Sequence, residues 1–188
     1  MISSFSGIQY LGLATLFLVA CNGIVQPRPM AMLRLEYPFP QYKKISESYP
    51  FDFQINQNAK LKKSAKIAPN IYYPDMKATL YLSFVKVRKN IDSLLNDAYN
   101  LPMKHMIKAE EIPERVFISK EHKVYGTLFS VVGNAASQLQ FFLTDSTKSF
   151  LVGSLYFYSR PNYDSIMPAA KYIERDVVKL IETLRWKN

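Results

Sequence analysis

Apolar and polar positions alternate from Ala78 to Val87, with Leu80, Leu82 and Phe84 facing one way and Tyr81, Ser83 and Val85 the other. A period of two predicts a β-strand with at least one buried face. The period then lengthens. Ile91, Leu94, Leu95, Ala98 and Leu101 recur at helical spacing behind Asn90, which suits an N-cap, and Pro102 should end or kink the helix. Strand patterns return at Arg115–Ser119 and Tyr125–Val132, and Gly133-Asn134 reads as a hairpin-type dipeptide. Ser137–Thr144 alternates with Leu139, Phe141 and Leu143 on one face. Asp145-Ser146-Thr147 supplies turn chemistry, and Phe150–Tyr158 forms the next strand. Phe142 beside Phe141, and Tyr156 and Phe157 beside Leu155, imply that both central sheet faces are apolar.

The last element is amphipathic. Ile166, Ala169, Ala170, Ile173, Val177, Leu180, Ile181 and Leu184 form one stripe, with Lys171, Glu174, Arg175, Lys179, Glu182 and Arg185 on other faces. Asp164 or Ser165 suits its N-cap, and Pro168 is tolerated in a first turn. Trp186, just beyond it, suits a lid over one edge of the core or an exposed anchor for a partner. Strands, a helix, hairpin-linked strands and a closing helix predict an α+β fold, with a mainly antiparallel sheet covered by helices in a single domain. Gln54–Ala68 is polar and lysine-rich and reads as an exposed loop or a short edge element.

The N-terminal pattern differs. Residues 1–20 contain no charged side chain, and Leu11–Ala20 is almost wholly apolar, about half of what a membrane span needs and the length of a signal-peptide core. Leu18-Val19-Ala20-Cys21 resembles a bacterial lipobox and includes the single cysteine of the chain. The small residues admit a peptidase to the bond before Cys21. Its thiol takes a diacylglycerol and the freed amine an acyl chain such as palmitate, and several chains anchor durably where one is marginal. Cys21 also fits a small buried hydrophobe, and residues 1–20 a signal cut elsewhere or an uncleaved anchor. Lipidation accounts for position, length and flanks together. The organisation expected is then a signal at 1–20, a lipidated cysteine with a Pro-rich, extended tether at 21–40, and one domain at 41–188. A chain of that size folds without disulfides or metal.

Charge is unevenly placed. Cys21–Lys89 carries 12 basic and 4 acidic residues, whereas Asn90–Asn188 carries 12 and 11. A basic half beside a lipid anchor points to anionic phospholipid or another envelope polyanion, and Lys60, Lys62, Lys63 and Lys66 are the densest candidates for that contact. For any single lysine a solvated face explains as much. Nucleic acid is disfavoured because the aromatic residues fall at core-facing strand positions. No nucleophile elbow, phosphate loop or zinc-binding helix motif occurs, so no catalytic residue, cofactor, metal or small-molecule substrate is expected. His105 and His122 with Glu110, Glu111 and Glu114 match no ligand spacing, and Ser137, His105 and Asp145 form a triad only on paper.

Several segments resemble one family. KATLYLSF (77–84), ERVF (114–117), VYGTLF (124–129), GNAASQLQFFLTDSTKSFLVGSLYF (133–157), RPNYDSIMPA and the helix ending in ETLRWK, together with Pro27-Arg28-Pro29 and Arg34-Leu35, are similar to the gliding-motility lipoprotein GldD family. Met30-Ala31-Met32 stands where that family has a glycine. The resemblance implies a non-enzymatic envelope lipoprotein, lipidated at Cys21, that acts in assembly or stability of the gliding apparatus and the linked type IX secretion machinery, with protein components of that apparatus as partners. Asn22 in place of a retaining aspartate, and no acidic residue before Glu36, imply the outer membrane with the domain facing the periplasm. The alternative is a periplasmic binding module for an anionic envelope polymer or lipid.

Overall fold

The alternating segments become strands of one antiparallel sheet, and the two helical stripes pack against its opposite faces. The computed structural model describes residues 37–46, 49–64, 67–159 and 162–187. In chain order the elements are β1 (Tyr42–Ile45), β2 (Phe51–Asn56), β3 (Lys60–Lys62), β4 (Asn70–Tyr73), β5 (Ala78–Lys86) and α1 (Ile91–Met103). A short 3-10 turn leads to β6 (Ala109–Glu111), β7 (Glu114–Ser119), β8 (Val124–Ser130) and β9 (Val132–Gly133). Then come β10 (Ser137–Thr144), β11 (Ser149–Phe157), α2 (Tyr163–Thr183) and β12 (Arg185–Trp186).

The main sheet has seven strands in the order β3-β4-β5-β11-β10-β8-β7, and every neighbouring pair is antiparallel. A three-stranded sheet, β1-β2-β12, and the pair β6-β9 complete the domain. All eight residues of β10 are buried, since this interior strand, between β11 and β8, is covered on both faces. Leu139, Phe141 and Leu143 face the larger core, where Phe51, Phe53 and Ile55 of β2 meet Ile173, Val177, Leu180 and Ile181 of α2. Phe142 faces the smaller core with Phe129, Phe150 and Ala98, under Ile91, Leu94 and Leu95 of α1. There the Phe142 and Phe150 rings stack 5.7 Å apart. Gly153 lies opposite Phe141, and a Cβ there would run into the Phe141 ring.

Several expectations change in detail. Gln54–Asn56 is not loop but the second half of β2, and Ile55 and Asn56 are buried because β2 lies under α2. The rest of that segment does supply the short edge strand β3. Gly133-Asn134 is not a two-residue hairpin, since β8 and β10 pair from Ser130 and Leu139 and a wider loop joins them. Gly133 adopts a φ of 116° where the carbonyl of Lys108 crosses close by, and a side chain has no room. Asn134 instead accepts a hydrogen bond from the Tyr163 backbone N–H at 2.8 Å, so a distant loop ties down the start of α2. Neither Asp164 nor Ser165 occupies the N-cap; Asn162 does, without a side-chain capping bond. Because the helix begins at Tyr163, Pro168 falls in its second turn. Asn90 stands at the N-cap of α1, but its side chain accepts the Arg88 N–H at 2.8 Å and leaves the helix amides alone. Trp186 is the lid: its ring packs against Phe51 and Phe84, and its Nε1–H donates to the Lys123 carbonyl at 3.0 Å.

Leu180 is 1 % exposed in the larger core. Leu180→Ala should therefore lower the unfolding free energy by about 2–5 kcal/mol in denaturant melts. Glu182→Ala, on the exposed face of the same helix, should change it by less than about 0.5 kcal/mol.

A candidate binding face of tyrosines and lysines

On the side of the main sheet that carries α1, the short helix covers the β8-β10-β11 region, and the face of β3, β4 and β5 beyond it lies open. Strand registry assembles this face from residues far apart in sequence. One row runs Lys60, Tyr72, Thr79, Tyr156 across β3, β4, β5 and β11. A second joins Tyr81 to Ser154 and Gln140. Their neighbours Leu61, Ile71, Leu80 and Leu155 point into the larger core, as strand alternation requires.

The four tyrosines form one connected group. Tyr81 meets Tyr156 edge-on at 5.8 Å, and Tyr72 meets Tyr158 edge-on at 6.3 Å. The Tyr158 hydroxyl lies 2.7 Å from Thr79 Oγ1 and 3.3 Å from the Tyr81 hydroxyl. Those two hydrogen bonds hold the Tyr158 phenol below its ordinary pKa, with the charge of Lys62 acting the same way. The Lys62 ammonium lies 3.5 Å from the centre of the Tyr72 ring, a cation–π contact. Tyr81, Tyr156 and Tyr158 are 41 %, 39 % and 56 % exposed, so the expectation that strand aromatics serve the core holds for most of the strand phenylalanines and fails for these. A phenol hydroxyl needs a polar partner, which a solvent face supplies and an apolar core does not. Beside them runs a groove of about 430 Å³, lined by Asn70, Tyr81, Ser83, Ser154 and Tyr156 and closed by Leu101 of α1. Ligand sites span about 300–1,000 Å³.

The two ends of the main sheet differ. β3 is three residues long, and Lys60 and Lys62 are exposed on it, the usual protection of an edge against stray pairing. β7 is six residues long and exposes Val116 (63 %) and Ile118 (68 %).

Of the lysines singled out from sequence, Lys60 and Lys62 join the tyrosine face and Lys63 is exposed just after β3, while Lys66 and Cys21 lie outside the described residues. The fold also makes a basic groove that the uneven charge did not suggest. Lys86 and Arg88 meet Lys148 and Lys187 around Trp186, in a cleft of about 680 Å³. Among the described residues no three His, Cys, Asp or Glu side chains are placed to share a metal ion. Glu111 and Glu114 line a cleft with Glu174, which accepts a hydrogen bond from Ser130 Oγ at 2.9 Å, and His105 is not part of it. Ser137 and Asp145 flank opposite ends of β10, with Ser137 Oγ bonded to the Leu139 carbonyl and Asp145 accepting three turn amides. They form no triad.

Residues 22–186 match the model of the gliding motility lipoprotein GldD family, which covers nearly all of the chain and both sheet faces described above. The chain belongs to that family. No match is found among curated proteins. Membership makes it a lipoprotein of the gliding motility system, associated with the cell envelope. GldD is not a known enzyme family. No helix among the described residues is long and apolar enough to cross a membrane.

One polar group escaped the sequence reading altogether. Asp176 lies on the buried face of α2 and is 2 % exposed. Its carboxylate accepts the Tyr42 hydroxyl at 2.9 Å and Asn56 Nδ2 at 3.0 Å, with Tyr73 as a third donor. Asn56 Nδ2 also donates to the Tyr172 hydroxyl, which donates in turn to the Pro38 carbonyl. The cluster thus joins β1, β2, β4 and α2 to residues assigned from sequence to the tether. Helical spacing placed Asp176 beside the apolar stripe, and only β1 and β2 show why it is buried. Burial pushes the Asp176 carboxyl above the usual carboxylate range, and the three hydrogen bonds oppose that shift without cancelling it. A raised pKa means that the folded state binds the proton more tightly, so this group's contribution favours acid and is lost as pH rises through the folded value. Asp176→Asn removes that dependence. The stability difference between variant and parent should therefore move in the variant's favour as pH rises from about 4, read from melts across a pH series.

Proposed function

We propose that this member of the GldD family is a non-catalytic assembly or stability factor of the gliding motility and type IX secretion machinery. It is held by lipid on Cys21 to the periplasmic leaflet of the outer membrane and docks on protein components of that apparatus. The observation that supports docking best is the contrast between the sheet edges. One is short and guarded by lysines; the other, β7, is longer, exposes Val116 and Ile118, and among the described residues has no further strand on its outer edge, where an extended partner segment would add. Replacing Val116 and Ile118 together by Lys should leave the melting temperature near that of the parent and abolish complementation of a deletion strain for gliding or secretion. Full complementation would remove β7 from the docking surface.

A second reading, binding of an anionic envelope polymer, is supported by the tyrosine–lysine face. Its four strands, β3, β4, β5 and β11, contain no Asp or Glu. The two readings are compatible, since the edge and the face are different surfaces of one sheet.

The lipid assignment is tested separately. Cys21→Ala should abolish incorporation of labelled palmitate and release a folded domain into the soluble periplasmic fraction. Continued labelling would place the lipid on another residue.

A further inference from the structure

We infer that the open face of β3, β4, β5 and β11 binds an acidic polysaccharide. Tyr81 and Tyr156 flank its groove, the hydroxyls of Tyr81 and Tyr158, held from beneath by buried Thr79, meet sugar hydroxyls, and Lys60 pairs with the acidic groups. The inference rests on the polyanion reading above and narrows it to one class of polymer.

Three features carry it. The first is chemistry. A sugar ring presents C–H groups on its faces and hydroxyls on its rim, and an aromatic face attracts the former because its π-system is negative there. The phenols stand 39–56 % exposed, and the Tyr81–Tyr158–Thr79 chain places hydroxyls, each donor and acceptor, beside the rings. Asn70 and Ser154 extend that polar lining along the groove.

The second is charge. Lys60 has no acidic partner among the described residues, while Lys62 is held over the Tyr72 ring, so a cation is available at one end of the row. With no carboxylate on the four strands, an anionic chain meets no repulsion there. The third is dimension. Neighbouring strands lie about 4.8 Å apart, so the row from Lys60 through Tyr72 and Thr79 to Tyr156 spans about 14 Å. That is the length of a short oligosaccharide laid across the strands. A single-stranded nucleic acid also combines negative charge with stacking, but the hydroxyls of Tyr81 and Tyr158 beside the rings match a polymer that carries hydroxyls around each ring.

The test uses the full lipidated chain in detergent, titrated with oligogalacturonate, a hyaluronan fragment, neutral dextran, polyphosphate and oligo(dT). At least one of the two uronic-acid chains should bind, with dextran much weaker. Tyr81→Ala and Tyr156→Ala should each weaken that binding about tenfold at an unchanged melting temperature, with the Phe variants falling between. Lys60→Gln should weaken it and flatten its salt dependence. If polyphosphate binds and both tyrosine variants bind the uronic chains like the parent, the sugar assignment is wrong and the polyanion reading stands. If no anionic polymer binds, both are wrong. Tighter binding of oligo(dT) than of either sugar would also overturn the assignment.

Discussion

Everything else in this domain depends on burying both faces of β10. Its eight residues are all enclosed, so the sheet must be covered twice, and the two covers are built differently. On one side α2 and the small β1-β2-β12 sheet supply a broad apolar layer. On the other, α1 covers only the stretch around Phe129, Phe142 and Phe150. The helix ends soon after Pro102, and beyond it the sheet has to face water. The tyrosine face and its groove exist because the second cover is too short. The proposed binding face therefore begins where the helical cover stops, at the end of α1.

The same economy governs the polar interior. Asp176 lies on the face of α2 that packs over β2, where a leucine would have been the simpler choice. A buried carboxylate with hydroxyl and amide donors is costly to form, because desolvation opposes its charge. It does restrict geometry, since Tyr42, Asn56 and Tyr73 must all converge on it. The group thus fixes how the small sheet is seated against the large one, a task that interchangeable apolar contacts perform poorly.

Much of this fold was legible in the sequence because β5, β10, β11, α1 and α2 each carry their own period. β2 was not, although Phe51, Phe53 and Ile55 alternate, because the polar run that follows outweighs so short a pattern. Turns also concealed themselves. Lys77, Lys89 and Lys123 adopt positive φ at chain reversals where no glycine marks the place. The candidate face was half visible. Lys60 and Lys62 stood out as charge, but their tyrosine neighbours come from three other strands, and cross-strand registry is not encoded in any local window. The lysines around Trp186 are drawn from both halves of the chain for the same reason.

The pairing of β2 with β12 has a consequence for how the protein comes into being. Asp52 pairs with Arg185 and Phe51 with Trp186, so β2 can finish its sheet only when nearly the whole chain has been made. β5 waits in the same way for β11. A chain made or exported from its N-terminus passes through a stage in which Phe51, Phe53, Leu80 and Leu82 exist without their covers, and contacts so distant in sequence form slowly. Loss of β12 alone would leave Phe51 and Asp52 without their strand partners and Phe84 without its Trp186 cover.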